Sequence, residues 1–589
     1  MSPSPAAGTI VKKTSILLLL AIVAAGAALR FSNISEVEPF LADEAAYVLE
    51  ARYIYSLLSA ARESIRLKLQ EKRTGQDLWK KEREKKRFTE DLEGKTPWYG
   101  RPGHLYLVCI AMAIAGPEKV YPGALVSAFF GTLCILLVFV LGQRLYGTGA
   151  GLIAAALFAL SAVEVLYSRS FLTEEDSLFF FLLAVLCYLS NRKAPAERKW
   201  GSVAMCGLLL GVSFVVHYRM ITYIFALWLL EVPFWLTKDL QALRYATLRS
   251  LVLGVGLLTP IGLTELPYYA AMLFAHFALK TTLPFTTYVE QLVGQFLYLV
   301  STYADSPVTG VAAVNFLTYP FLLWTLEGAA VTIALLAGMI GFFVGLAKRR
   351  GLNEYLPAAL FLVPWLSCTL FNPRTRYLSG FLPFGIVMAA ACLQRSLQHA
   401  FSSRGRLGGW LLAAGLAAIL VRGGTHALRA AEPKVSYGQA IAFIHERGPK
   451  AHLATFPPIT QVYSGVKNVP DLWPASEEEL REVYAQGHRY LVVDFVKDVI
   501  DVVVGQFNLD KKGEKFAAFR RRVDLIDRIE STLSPVYTCP NRHIGKLYNL
   551  FEVNQNFTRT IEYARQIRSS ARATTIRVYD LEAYFRLGQ

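Results

Sequence analysis

The sequence predicts a mainly α-helical membrane protein with many spans, a large first exocytoplasmic loop and a small C-terminal α/β soluble domain. Of its 589 residues, 54% are hydrophobic, whereas soluble domains are usually about 45–50% apolar. Apolar stretches of about 20 residues, long enough to cross a bilayer, recur between residues 14 and 424. The remainder alternates helix-like and strand-like segments. We therefore expect a membrane domain at 1–430 and an α/β domain at 431–589.

Hydropathy and length predict eleven membrane spans. The apolar run at 101–116 is too short to cross a bilayer, so we interpret it as a re-entrant or interfacial segment. The predicted spans are 14–31, 122–143, 149–167, 175–190, 201–217, 219–236, 248–268, 326–347, 354–371, 378–396 and 406–422.

Positive charge is distributed regularly along the connections between these spans. Alternate connections are basic, from "KK" at 12–13 through "NRKAPAERK" to "QRSLQHAFSSRGR". Because Lys and Arg collect on the cytoplasmic side, this pattern predicts a cytoplasmic N-terminus and an exocytoplasmic C-terminal domain. The same pattern accounts for the net charge of +16 as topology signals and contacts with anionic lipid, and not as a nucleic-acid surface.

Two groups of acids lie on the predicted exocytoplasmic side. Asp43 and Glu44 follow the first span in "LADEAAYVLEARYI", where an amphipathic helix begins with Asp43 at or near its N-cap. The turn "YSRSFLTEED" between the third and fourth spans holds Arg169, Glu174 and Asp176, with Glu175 between the two acids. A helix cap with a solvated neighbour is the alternative interpretation of either group, although one cap does not need three acids.

Basic residues lie on the same predicted side, at two later turns. Arg374 and Arg376 precede the tenth span in "FNPRTRYLSGF", and His217 and Arg219 occupy the turn between the fifth and sixth spans. The rigid guanidinium fork suits phosphate, although headgroup anchoring is the alternative. The acids can accept a proton from an acceptor hydroxyl, and the arginines can hold a phosphate. Together these groups suit a polyprenyl-phosphate sugar as the substrate.

These residues resemble the polytopic GT-C glycosyltransferases, in particular the protein O-mannosyltransferase and bacterial aminoarabinose transferase family. Four pieces carry the resemblance: "LADEAAYVLEARYI", "RPGHLYL", "LYSRSFLTEEDSLFFF" and "RTRYLSGFLPFGIVMA". The resemblance implies a GT-C membrane domain that transfers a sugar from a polyprenyl-phosphate donor to a protein, lipid or glycan acceptor, with inversion. It also implies a multi-pass protein of the plasma (inner) membrane and cell envelope, in contact with membrane lipids and not with nucleic acid.

The resemblance also implies roles for individual residues. Asp43, with Glu44 adjacent, matches the family's base, and either Glu174 or Asp176 matches its second acid. Arg376, followed by Tyr377, matches a contact to the carrier phosphate. The family's "HPPL" appears here as "RPGHL", which makes Arg101 and His104 further candidates for substrate binding.

No metal site is predicted, because no Cys/His spacing typical of zinc occurs. Two carboxylates at one site would accept a divalent cation, so the sequence leaves that cofactor open.

Three other functions compete with a monosaccharide transferase. A transporter or lipid-linked glycan flippase also needs many helices and buried charges, but it predicts internal repeats and functional charges at the bilayer midplane. A ligase that transfers a whole oligosaccharide would share the chemistry and need a larger pocket. A scaffold whose tail binds a partner would tolerate the loss of Asp43.

Overall fold

The architecture is given by a computed structural model, which describes most of the membrane part and about half of the C-terminal part. Arg374, one of the predicted site residues, lies outside the described residues, as does most of the loop at 278–311. The structure describes residues 5–39, 42–75, 101–191, 200–236, 240–274, 276–277, 288–294, 297, 312–346, 352–371, 375–403, 405–432, 435–448, 452–454, 457–464, 474, 476–494, 514–541 and 574–587.

The regular secondary structure of the described membrane part is helical. Each predicted span falls on one helix or on a pair of consecutive helices. In chain order they are α1 Pro5–Phe31, α2 Ala42–Thr74, α3 Pro102–Ala115, α4 Pro122–Tyr146, α5 Thr148–Ala159, α6 Ala162–Ser168, α7 Glu174–Asn191, α8 Trp200–Val216, α9 Ile221–Leu229, α10 Val232–Trp235, α11 Leu240–Phe274, α12 Ala312–Leu346, α13 Leu352–Phe371, α14 Leu378–Ser403 and α15 Gly405–Ala431.

Within the described residues, six helices are long and apolar enough to cross a membrane, or seven if the bent pair α5–α6 is one span. Four shorter apolar helices accompany them, and α3 is one of these. The multi-pass prediction is therefore confirmed, whereas the count of eleven spans stays a prediction. The run at 101–116 forms a helix of 14 residues, shorter than a bilayer requires, as expected.

The third predicted span is not one straight helix but two, α5 and α6, which meet at 60°. Ser161 caps α6 by accepting a hydrogen bond from the backbone N–H of Glu164. The carboxylate of Glu327 on α12 accepts hydrogen bonds from the backbone N–H groups of Ala162 and Val163. A carboxylate stabilises a helix N-terminus because it satisfies N–H groups that have no partner within the helix. Next to Glu327, α12 itself is broken at Gly328, where φ is 79°.

The first loop begins with α2, whose N-terminal half packs on the membrane domain. Ala45 and Val48 are fully buried, as the amphipathic pattern predicts. Cys109 of α3 donates a hydrogen bond to the carbonyl of Ala51 on α2. Asp43 is the second residue of α2, which begins at Ala42, so it lies in the first turn of the helix and near the predicted N-cap position.

The C-terminal part contains a sheet of four strands, β1 His452–Ala454, β2 Tyr490–Val493, β3 Tyr537–Pro540 and β4 Thr575–Asp580. Their order in the sheet is β1-β2-β4-β3. β1 and β2 are parallel with Leu453 opposite Leu491, and β4 is antiparallel to both β2 and β3. The strands predicted in "AHLATF" and "HRYLVVDFV" are β1 and β2. The helices are α16 Tyr437–Glu446, α17 Pro457–Ser464, α18 Glu477–Ala485, α19 Glu514–Thr532 and α20 Leu581–Leu587.

Candidate active site

Charged residues from both ends of the membrane domain meet at one end of the helical bundle. The centre of the cluster is Arg376, in the short 3₁₀ turn Thr375–Tyr377 that leads into α14. Its Nη1 donates a hydrogen bond of 2.8 Å to Oδ2 of Asp43 in the first turn of α2. The Arg376 side chain is 4% exposed and that of Asp43 is 35% exposed. The arginine is therefore embedded, while the carboxylate is accessible from outside the bundle.

Glu174, the first residue of α7, is the second acid of the cluster. Its Oε1 lies 3.6 Å from Nε of Arg376 and 3.6 Å from Nε2 of His217. Burial raises the pKa of a carboxyl, but the close contact with His217 and the charges of Arg376 and Arg101 outweigh it and lower the pKa of Glu174 to about 2. Glu174 is therefore ionised at neutral pH and, together with Asp43, balances the charge of Arg376.

His217 follows the end of α8 and is buried behind Glu174. Burial and the nearby charge of Arg101 lower its pKa to about 3, against the opposing effect of Glu174. The imidazole is consequently neutral at pH 7. Its Nδ1 accepts the backbone N–H of Arg219, which fixes the turn that carries that arginine.

Three consecutive acids at the start of α7 have three different surroundings. Glu174 faces Arg376, as described above. Asp176 contacts His104, with 2.9 Å between Oδ2 and Nδ1, and both side chains are fully buried. Glu175 turns to the opposite side, beside Glu164 and the buried guanidinium of Arg30. Of the two alternatives for the second acid, the geometry therefore brings Glu174 to Arg376 and places Asp176 in a separate pair.

Arginines and tyrosines line the rest of the cluster. Arg101 donates a hydrogen bond of 3.3 Å to Oγ1 of Thr173. The guanidinium carbon of Arg101 lies 5.2 Å from the ring centre of Tyr47 and 5.8 Å from that of Tyr218. Such contacts stabilise a buried guanidinium without removing its charge.

Arg219 stacks on Tyr377, the aromatic residue that follows Arg376. Its guanidinium carbon is 4.0 Å from the ring centre of Tyr377 and 5.9 Å from that of Tyr218. Burial raises the pKa of a tyrosine, but the charges of Arg219 and Arg101 outweigh it and lower the pKa of Tyr218. The predicted residues Arg101, Arg219, Arg376 and Tyr377 therefore form one positively charged wall.

Two predicted site residues make scaffold contacts. The fully buried Glu44 accepts a hydrogen bond of 2.9 Å from the backbone N–H of Phe171. Arg169 donates to the carbonyls of Leu29, Arg30 and Ser32 at the end of α1. These contacts hold the acid-bearing turn between α6 and α7 against α1 and α2. The predicted catalytic role of Glu44 and the predicted substrate contact of Arg169 stay predictions.

Sequence reasoning missed Tyr47 and Thr173 as members of the site. The signal for Tyr47 is its spacing, because it lies four residues after Asp43 and hence on the same helix face. As for metals, no three His, Cys, Asp or Glu side chains come together as ligands in the portion of the chain that is described.

A family model and a curated protein each match part of this chain. Residues 95–261 match the family model described as dolichyl-phosphate-mannose-protein mannosyltransferase. Protein O-mannosyl-transferase 1 of Danio rerio is 32% identical over 141 residues, which cover 23% of this chain and 20% of that protein. The chain thus spans about a fifth of the length of that relative. The matched region contains Glu174 and His217 and leaves out Asp43 and Arg376.

Solved structures also match much of this chain, at low sequence identity. The archaeal oligosaccharyltransferase AglB from Archaeoglobus fulgidus, in complex with an inhibitory peptide and a dolichol-phosphate, gives a TM-score of 0.50 at 13% identity. That match covers 88% of this chain and 72% of AglB. ArnT from Cupriavidus metallidurans in the apo state gives a TM-score of 0.46 at 13% identity and covers 83% of this chain and 93% of ArnT.

The fold is accordingly similar to that of the archaeal oligosaccharyltransferase AglB. The predicted resemblance to the protein O-mannosyltransferase family is confirmed, through the family model over residues 95–261.

Proposed function

We propose that this protein is a membrane glycosyltransferase that moves a sugar from a polyprenyl-phosphate donor to a hydroxyl acceptor. The observation that carries the proposal is the joining of Asp43 and Glu174 to one embedded arginine, Arg376. Dolichyl-phosphate mannose is named in the matching family model, and dolichol-phosphate is named with the archaeal structure of similar fold. A donor of this kind brings a lipid tail, a phosphate and a sugar to the same place.

The proposed reaction is a single displacement at the anomeric carbon. The acceptor hydroxyl gives its proton to Asp43 and its oxygen forms the new bond to the anomeric carbon. The bond from that carbon to the phosphate oxygen breaks at the same time, so polyprenyl phosphate leaves with the electron pair. Attack from the face opposite the leaving group inverts the configuration of the sugar.

Arg376 is the proposed ligand of the leaving phosphate. A guanidinium has five N–H donors, so Arg376 can hold a phosphate oxygen while it still contacts Glu174. The phosphate competes with Asp43 for Nη1 of Arg376, since that nitrogen donates a hydrogen bond to the carboxylate. Donor binding therefore loosens the ion pair and leaves Asp43 more basic when the acceptor arrives.

The exocytoplasmic side is the proposed location of the reaction, in the plasma (inner) membrane. What supports this is the alternation of basic connections, which puts the segments holding Asp43, Glu174, His217 and Arg376 on one side. These same segments meet at one end of the bundle. A transporter would instead need its charges at the bilayer midplane.

The proposal is tested by transfer from defined donors. Purified protein in liposomes is incubated with labelled polyprenyl-phosphate hexoses and pentoses, together with a pool of Ser- and Thr-containing peptides and a membrane lipid extract. We expect the label to pass to one acceptor class, detected by mass spectrometry, and no transfer from nucleotide sugars. Transfer from a nucleotide sugar alone, or movement of the intact donor across the bilayer without transfer, would contradict the proposal.

A further inference from the structure

One arginine ties the helix of Asp43 to the C-terminal part of the chain. Arg52 on α2 donates through Nη1 to the carbonyl of Val462 on α17, at 2.6 Å. Through Nε it donates to the carbonyl of Pro117, at 3.0 Å. Its Nη2 donates to the carbonyls of Glu118 and Lys119, at 2.9 Å and 3.2 Å. One side chain thus joins α2, the turn between α3 and α4, and the α/β part.

A second contact to the α/β part is made by Glu38, which precedes Asp43 in the sequence. Both carboxylate oxygens of Glu38 lie 3.2 Å from the backbone nitrogen of Gly438, which donates to them at the start of α16. A Cβ atom at position 438 would lie 2.9 Å from Oε1 of Glu38 and 3.2 Å from Cε1 of Tyr463. A side chain at position 438 would therefore push the Glu38 carboxylate away from this amide. Glu38 precedes Asp43 by five residues and Arg52 follows it by nine.

Apolar packing connects the same parts. Val48 and Ala51 of α2 belong to one continuous buried cluster with Ile459 and Val462 of α17 and Ala440 of α16. A second buried cluster fills the far side of the sheet without residues from α2. The C-terminal half of α2 is less covered, since Leu58, Ile65 and Leu69 are exposed, although Leu67 is buried. In the described residues, the contacts named above reach α2 in its N-terminal part, as far as Arg52.

We propose that the C-terminal α/β part sets the position of Asp43 relative to Arg376, with Arg52 and Glu38 as positioning residues. This inference rests on the proposed function, in which Asp43 is the base. A helix transmits displacement along its axis, and nine residues of helix span about 14 Å. A displacement of about 1 Å at a reacting group can cost about a hundredfold in rate. The α/β part thus supports the reacting carboxylate indirectly. The contacts named above reach Glu38 and Arg52, which lie on either side of Asp43 in the sequence.

The kinetic test compares variants of the full-length protein in liposomes. Arg52→Ala is expected to lower kcat for sugar transfer about tenfold to a hundredfold, with the Kd for polyprenyl phosphate changed less than threefold. Arg66→Ala is the matched control, because Arg66 lies on the same helix, contacts Glu63 and has a side chain that is 66% exposed. Glu38→Ala should act like Arg52→Ala, whereas Glu38→Gln, which keeps an oxygen acceptor for Gly438, should retain most of the activity.

Hydrogen exchange provides a readout that needs no activity. In Arg52→Ala and in Glu38→Ala, the amides of residues 42–56 should exchange faster while those of α14 keep the wild-type rate. Wild-type kcat in both variants, or wild-type exchange over 42–56, would overturn the inference. An equal rise in exchange across the whole protein would also overturn it, since that result means general destabilisation. If the wild type transfers no sugar, the proposed function fails, while the exchange measurement still decides whether the α/β part fixes α2.

Discussion

Asp43 and Arg376 are 333 residues apart in the sequence and form a hydrogen-bonded ion pair of 2.8 Å. The pair is asymmetric, because the arginine is embedded and the carboxylate is about a third exposed. A buried guanidinium without counter-ions would be costly, and Asp43 and Glu174 supply them. We propose that the donor phosphate replaces Asp43 as the counter-ion of Arg376, so that the donor binds before Asp43 acts as a base.

The first prediction concerns the donor phosphate. Arg376→Lys keeps a positive charge but loses the planar fork, so the Kd for polyprenyl phosphate should rise about tenfold to a hundredfold, the effect of losing a charged hydrogen bond of about 1.5–3 kcal/mol. The KM for the acceptor should change less than threefold. Arg395→Ala, at the other end of α14, serves as the control. Equal weakening of donor and acceptor would argue against a phosphate contact.

The second prediction separates the two candidate acids. Glu174→Gln removes the charge that faces Arg376, so kcat should fall about tenfold to a hundredfold. Asp176→Asn keeps an oxygen that can accept a hydrogen bond from His104, so kcat should stay within about threefold. Steady-state kinetics on protein of matched thermal stability provide the measurement. The reverse order would identify Asp176 as the second acid.

The third prediction concerns stability in mild acid. The pKa of His217 is about 3 in the folded protein, whereas an unfolded histidine titrates near 6.5. Below about pH 6.5 the unfolded state takes up a proton on His217 and the folded state does not. The contribution of His217 to the free energy of unfolding is therefore full above that pH and decreases towards pH 3, by at most about 1.4 kcal/mol per pH unit. Glu174 does not titrate between pH 5 and 7.5, because its pKa is about 2.

Thermal unfolding at pH 7.5, 6 and 5 measures this effect. His217→Gln should lose less stability between pH 7.5 and 5 than the wild type does. His399→Gln, which changes an exposed histidine on α14, should follow the wild type. Parallel losses in the wild type and in His217→Gln would assign the acid sensitivity to other groups.

The fourth prediction concerns topology. A reporter fused after residue 432, just beyond the end of α15, should lie outside the cytoplasm. A reporter inserted into the basic connection "NRKAPAERK" should lie inside it. If both reporters are found on the same side, the predicted arrangement of spans is wrong and so is the proposed sidedness of the reaction.

Hydropathy was sufficient to locate the long apolar helices, because a span needs a long apolar segment and such a segment is visible in the sequence. The breaks were not predictable in the same way. The bend before α6 depends on Glu327, 166 residues from Ser161, whose hydroxyl also contacts it. The structure also pairs Glu231, which immediately precedes α10, with Arg249 on α11 at 3.4 Å.

The site was predictable as a set of residue types and less so as a set of contacts. Charges at the ends of spans indicated Asp43, Glu174 and Arg376, which the structure brings together. The choice between Glu174 and Asp176 was not predictable, because residues two apart on a helix differ by about 200° in direction. Only the neighbouring helices determine which of them faces the arginine.

The most direct measurement of the central claim is sugar transfer by Asp43→Asn. The amide keeps the shape of the side chain but cannot take up a proton, so transfer from a labelled polyprenyl-phosphate sugar should fall by a factor of about 10² to 10⁴. The protein should stay folded with a lower thermal unfolding temperature, because Glu174 still balances the charge of Arg376. Glu63→Gln, which alters a partly exposed acid on the same helix, should keep wild-type activity. Wild-type transfer by folded Asp43→Asn would contradict the role of Asp43 as the base.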